Sequence, residues 1–159
     1  MKEHRTSNIE HRTSKESPGP DAAVSRRVFD LEERLLEFAS VIIDISENLP
    51  KTRAGNHLAG QLLRSGTSPY SNHGEAESAE SPDDFVHKMK VCLKELRETR
   101  RWLRLIDRKK WLAGNNDFPF AVREIEELIR IFAASVRTAE KNRQRAARTQ
   151  APINPDPFA

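Results

Sequence analysis

Apolar residues recur along this chain at spacings of three and four in four separate stretches, the period of helices that bury one face. In the first, Val28, Leu31, Leu35, Phe38, Ile42, Ile45 and Leu49 fall on one stripe, predicting a helix from about Arg27 to Asn48 that Leu49-Pro50 ends. The second starts near Thr52 and carries Leu58, Leu62, Ser65, Pro69, Asn72, Ala76 and Ala79, a stripe that stops being aliphatic halfway. Gly66 and Pro69 predict a kink or short break there, with Ser68 capping a second segment that runs to about Glu80. The third opens on Ser81, a good N-cap, followed by Pro82 and the acidic pair Asp83 and Asp84. Its apolar side is Phe85, Met89, Cys92, Leu96, Leu103 and Ile106; it is expected to extend through Lys110, with Gly114-Asn115-Asn116 as the stop. The fourth begins after Asp117 with Ala121, Ile125, Leu128, Phe132, Val136 and Ala139, a stripe widened by Val122, Ile129 and Ile131.

No stretch alternates apolar and polar residues as a half-buried strand would. Four amphipathic helices with short connections predict an all-α fold, an antiparallel up-and-down four-helix bundle. Composition adds the tails. Of 159 residues only 36% are hydrophobic and 32% are charged, lean for a chain that is all core. The apolar stripes leave residues 1–25 and the Pro-rich 148–159 outside, so both are expected to be disordered around a bundle spanning 26–147. No apolar run approaches the length of a membrane span, there is no apolar signal region, and Cys92 is the single cysteine. A reducing cytoplasm is the expected compartment.

The net charge of +3 conceals a separation. Residues 88–110 hold ten Lys and Arg against Glu95, Glu98 and Asp107, and residues 137–149 hold five against Glu140. The first helix carries Asp30, Glu32, Glu33, Glu37, Asp44 and Glu47. At 100° per residue, Lys90, Lys94, Arg97, Arg101, Arg104 and Arg108 fall within an arc of roughly 80°, almost opposite the apolar stripe of the third helix. Such a row can track a phosphate backbone in RNA or DNA, displacing condensed counterions. It can equally be a solvated face, or one neutralised by the acidic helix of a neighbouring subunit. Trp102 and Trp111 can stack on bases or serve the core and subunit contacts.

A second cluster, Arg64, Ser65, Ser68, Asn72 and Glu75, reads either as a polar network or subunit contact, with Glu75 near Arg64, or as small residues that permit close helix approach. Catalytic chemistry finds little support. His57, His73 and His87 are scattered, and Asp84-x-x-His87 is one imperfect copy of a motif that di-metal bundles need twice. Ser68 lacks a nucleophile-elbow setting, Cys92 lies on the apolar side of its helix, and there is no phosphate-binding glycine loop. The chain is expected to be a non-enzyme without cofactor or metal.

Several stretches carry a resemblance: Phe38-Ala39, Leu49-Pro50, the run Gln61-Leu62-Leu63-Arg64-Ser65-Gly66-Thr67-Ser68, Asn72, Glu75-Ala76, Ser81, Asp84-Phe85 and Lys88. Leu93-Lys94-Glu95, Glu98-Thr99 and Trp102-Leu103 complete it, over about residues 27 to 140. In this pattern the chain resembles the small four-helix-bundle proteins encoded in intervening sequences of bacterial 23S ribosomal RNA. The resemblance implies an antiparallel bundle that builds a ring-shaped homopentamer. The accessory protein of diversity-generating retroelements, which works with a reverse transcriptase and nucleic acid, is similar too. The implied role is therefore a non-enzymatic accessory one, with nucleic acid, a protein partner such as a reverse transcriptase, or both. The alternative is an oligomeric scaffold that binds no nucleic acid. Pro69 and His73 depart from the family pattern, where the local break is expected.

Overall fold

The computed structural model describes the backbone of residues 20–150 and the side chains of residues 31–149. It contains four helices: α1 (Pro20–Glu47), α2 (Arg53–Glu77), α3 (Pro82–Lys109) and α4 (Phe118–Gln150). Among the described residues there is no strand. Each start has a local cause. Thr52 caps α2, its hydroxyl accepting from the Gly55 amide at 3.1 Å. Ser81 caps α3 in the same way through the Asp84 amide, with Pro82, Asp83 and Asp84 in the first turn. Asn115 launches α4, its side-chain oxygen accepting from the amides of Asp117 and Phe118, both at 2.9 Å.

Two boundaries differ from expectation. α1 begins at Pro20, ahead of Arg27, because proline is well suited to the first helical position, where its missing N–H costs nothing. α3 ends where expected, at Lys109, with Lys110 as its C-cap in the left-handed region at φ 57°. α4 continues to Gln150. The remainder of the two expected disordered tails lies outside the described residues.

Of the kink or short break expected at Pro69, the break does not occur. α2 is continuous through it, and Ser68 caps nothing; its hydroxyl and carbonyl both accept from the Asn72 amide group at 2.9 Å. An interior proline costs a helix about 3 kcal/mol. Here α2 is clamped from two sides, burying Leu58, Leu62, Pro69, His73 and Ala76. Each large apolar side chain so buried contributes about 1.5–3 kcal/mol, enough to override the local preference.

The core is one cluster shared by all four helices, with Phe38, Ile42, Ile45, Leu62, Leu96, Leu103, Ile106, Ile125, Leu128 and Phe132 fully buried. α2 packs most on α3 and then on α1, α3 on α4, and α1 least on α4. Along α2 and α3 the partners run in opposite chain order: Glu75 meets Lys88, Pro69 meets Cys92, and Ser65 meets Thr99. The same reversal holds between α3 and α4, where Asp83 meets Arg143, Lys90 meets Glu140, and Arg100 meets Glu126. α1 meets α2 where Ile42 lies over Gly66; a Cβ at residue 66 would stand 2.6 Å from the Ile42 side chain. Gly55 is tighter still, its Cβ position 1.9 Å from the Pro50 carbonyl oxygen.

Candidate nucleic-acid interface

α3 pairs the charged residues of one edge and leaves most of those on the other exposed. On the outer arc Lys90, Lys94, Arg97, Arg101, Arg104 and Arg108 are all exposed. Lys90 is engaged, its ammonium 2.6 Å from the Glu140 carboxylate of α4. That hydrogen bond, and then the Lys90 charge, hold Glu140 below the usual carboxylate range, with a smaller contribution from Arg143. Lys94, Arg97, Arg101, Arg104 and Arg108 make no hydrogen bond or ion pair among the described residues. The long apolar stripe on the opposite side turns them outward, and the nearest acidic groups of α4 are already occupied by Lys90 and Arg100.

These cations border two adjoining surface grooves. One, about 870 Å³, is lined by Lys90, Lys94, Arg97 and Arg101, by the carboxylates Glu98 and Glu140 (each paired with a cation), and by the apolar Leu93, Trp102, Leu105 and Val136. The other, about 690 Å³, is lined by Arg101, Arg104, Leu105, Asp107, Arg108 and Lys110. Arg101 and Leu105 belong to both, so the track follows α3 from residue 90 to residue 110, roughly 30 Å at the rise of an α-helix. Trp102 is partly buried and lines the groove; Trp111 packs against the core and lines neither groove.

The inner edge of α3 forms a polar seam with α2. Arg64 binds Glu98 and lies 3.6 Å from Glu95, which is 6% exposed. Glu98 also accepts from the Trp102 indole N–H at 3.3 Å. Fully buried Ser65 and Thr99 share a 3.0 Å hydrogen bond. Thr99 also reaches the Glu95 carbonyl at 2.9 Å. A hydroxyl has one proton, so with Thr99 donating to that carbonyl, Ser65 donates to Thr99.

The expected cluster thus divides. Arg64 and Ser65 join α3, whereas Ser68 and Asn72 bond each other. Glu75 does not meet Arg64; it pairs with Lys88, whose pKa that contact raises first by hydrogen bond and then by charge. Arg64 and Glu75 share a side of α2, but eleven residues separate them by roughly 16 Å. Sequence reasoning missed the α3 half of the seam, Lys88, Glu95, Glu98 and Thr99. All four were present in the quoted pattern, but nothing in one sequence says which α2 residue each would face.

Elsewhere the titratable groups are structural. His73 is buried with its ring edge-to-face on Phe132, centroids 5.9 Å apart. Burial pushes the Cys92 thiol up to about 12, and its sulfur lies 3.6 Å from the Pro69 carbonyl oxygen. Among the described residues no group of three His, Cys, Asp or Glu is placed to hold a metal ion, and no helix is long and apolar enough to cross a membrane.

Fold and surface together define a class: a small all-α protein of four packed helices, with a basic row on one that is unpaired among the described residues, and behind it a polar seam in which buried Glu95 Oε2 faces Arg64 at 3.6 Å without a hydrogen bond. The chain belongs to the family of 23S rRNA-intervening sequence proteins, whose pattern it matches over residues 29–134. It is also similar to a solved structure from Bacteroides thetaiotaomicron VPI-5482, a protein of unknown function from the S23 ribosomal protein family. The two share 30% identity with a TM-score of 0.61, over 67% of this chain and 97% of that one. No curated protein matches the chain.

Proposed function

We propose that this protein is a non-enzymatic accessory factor that binds nucleic acid through the outer face of α3. The observation that carries the reading is the row Lys94, Arg97, Arg101, Arg104 and Arg108, unpaired among the described residues and aligned along a groove. Unpaired cations retain their counterions until a polyanion displaces them, which drives phosphate binding. The ribosomal names of the family and of its Bacteroides relative agree with an RNA-facing role.

In this reading the four helices form an antiparallel up-and-down bundle, supported by the reversed order of contacts across α2–α3 and α3–α4. The bundle works in the cytoplasm as a homo-oligomer, with a pentameric ring the form the resemblance favours. Leu36 and Ile43 on α1, and Leu63 and Tyr70 on α2, are exposed and seven residues apart within each helix. Arg34 reaches α4 from the other side of α1, and Arg64 reaches α3 from the other side of α2, so both apolar pairs border the α1–α2 seam. A strip of this kind suits a subunit contact. It also favours the second reading, an oligomeric scaffold in which the acidic α1 of one copy meets the basic α3 of another.

Fluorescence anisotropy with labelled structured RNA and duplex DNA, at low and near-physiological salt, separates the two. The accessory reading expects binding that weakens steeply with salt and is lost in the triple variant Arg97→Glu, Arg101→Glu, Arg104→Glu, with the oligomer mass by light scattering unchanged. Affinity retained by that variant, or no binding even at low salt, overturns it. Dissociation of the oligomer by the same variant puts the scaffold in its place.

A further inference from the structure

The groove beside the basic row is not lined as a duplex would require. A double helix presents phosphates and sugars outward and keeps its base faces stacked inside, so a surface that reads only its backbone needs cations and nothing apolar. Here Trp102 and Leu105 line the same groove as Lys94, Arg97 and Arg101. Leu105 is 41% exposed, in a position where burial would be favourable and no part of the described chain supplies it. The Trp102 ring is held in place: its N–H donates to Glu98, which Arg64 binds from α2. An oriented indole next to cations is the arrangement in which an unpaired base stacks while its phosphates meet the charges.

We infer that the occupant of this groove is a single-stranded nucleic acid, with at least one base stacked on Trp102 and extended over Leu105. The inference rests on the nucleic-acid reading above and narrows it to unpaired strands or loops. The row of cations advances roughly 5 Å per charge along α3, close enough for successive phosphates of one strand to be met in turn. The polar seam gains a role by this reading: the Arg64–Glu98 pair is a positioning device for the indole, tying the ring to α2.

The test uses the full chain and three labelled probes of equal length: an oligo-uridine, an oligo-thymidine and a blunt duplex. The oligo-uridine and oligo-thymidine are expected to bind about tenfold more tightly than the duplex at near-physiological salt, and binding quenches tryptophan fluorescence in a Trp111→Phe background. Trp102→Leu is expected to lower single-strand affinity about tenfold, and by more than it lowers duplex affinity; Trp102→Phe recovers most of the loss. Leu105→Ala, at an exposed position that cannot unfold the protein, is expected to lower single-strand affinity several-fold and serves if Trp102→Leu disturbs the fold. Equal binding of duplex and single strands with no selective loss in any of these variants overturns this inference and leaves the broader reading standing. Failure of all three probes to bind, at low salt as well, overturns both.

Discussion

The two edges of α3 use the same residue types to opposite effect. On the inner edge every charge has an answer: Arg64 with Glu95 and Glu98, and Lys88 with Glu75. On the outer edge one cation, Lys90, is answered by Glu140, and the next five are not. Charge density alone therefore does not mark a binding surface. What separates the edges is register, because a cation facing a neighbouring helix meets a carboxylate at a fixed depth and a cation facing water does not. Among the described residues these five cations add no ion pair to the fold, whereas Lys88 and Arg64 each do.

Substitutions sharpen the contrast. The largest effect is expected where α2 packs closely against the side chains of α1. Gly66→Val drives two methyl groups into the stiff, β-branched Ile42, and loses about 3 kcal/mol in urea unfolding. Next comes Arg64→Met, expected to cost about 2 kcal/mol because it leaves the Glu95 carboxylate buried without its partner; a normal surface pair costs far less. Adding Glu95→Gln to that variant restores part of the loss. A double-mutant cycle over Ser65→Ala and Thr99→Ala is expected to give a coupling of about 1 kcal/mol, since Thr99→Ala strands the buried Ser65 hydroxyl whereas Ser65→Ala leaves Thr99 bonded to the Glu95 carbonyl. By contrast, the triple reversal on the outer edge changes unfolding stability by no more than about 0.5 kcal/mol while abolishing nucleic-acid binding.

Two pH effects are smaller and have defined signs. Glu140 has a folded pKa below its ordinary value, so its pairing with Lys90 adds stability above the ordinary carboxylate range and loses it as pH falls through the lowered value. Acid titration followed by NMR should show Lys90 released in that window. Cys92 goes the other way. Its thiol sits at about 12 in the folded protein against 9.0 as the ordinary value, so the fold loses stability as pH rises above 9.0, where only the unfolded chain ionises. At neutral pH Ellman's reagent should titrate Cys92 only after denaturation.

Much of this was legible in the sequence because caps and stripes are local. Thr52, Ser81 with Pro82, and Asp117 marked three helix starts within a residue, and the stripes of α1, α3 and α4 named most of the core. The basic row was legible for the same reason, as it needs only the period of one helix. What escaped depends on contacts between helices. The continuity of α2 through Pro69 is decided by burial against α1 and α3, which no local rule sees. The closeness at Gly55 and Gly66 is a property of the neighbour, Pro50 or Ile42, rather than of glycine. The pairing of Glu75 with Lys88 in place of Arg64, and the neutralisation of Lys90 alone among the six, both follow from how far one helix slides along another.

The uninterrupted α2 also bears on the order in which the chain assembles. A segment with a proline at its centre nucleates helix poorly, because the missing amide opens the ladder where it should propagate. α3, with its cap, its acidic first turn and its basic last turn, has every local reason to form by itself. A peptide of residues 82–109 should accordingly show stronger helical circular dichroism than one of residues 53–77. During synthesis α2 leaves the ribosome before α3 exists, so its continuous form is expected to wait for the following thirty-odd residues to arrive and serve as its splint. Folding of this protein is then retrospective: a later segment completes an earlier one, and a chain truncated after α2 is expected to show less helix than the deletion of α3 and α4 alone would remove.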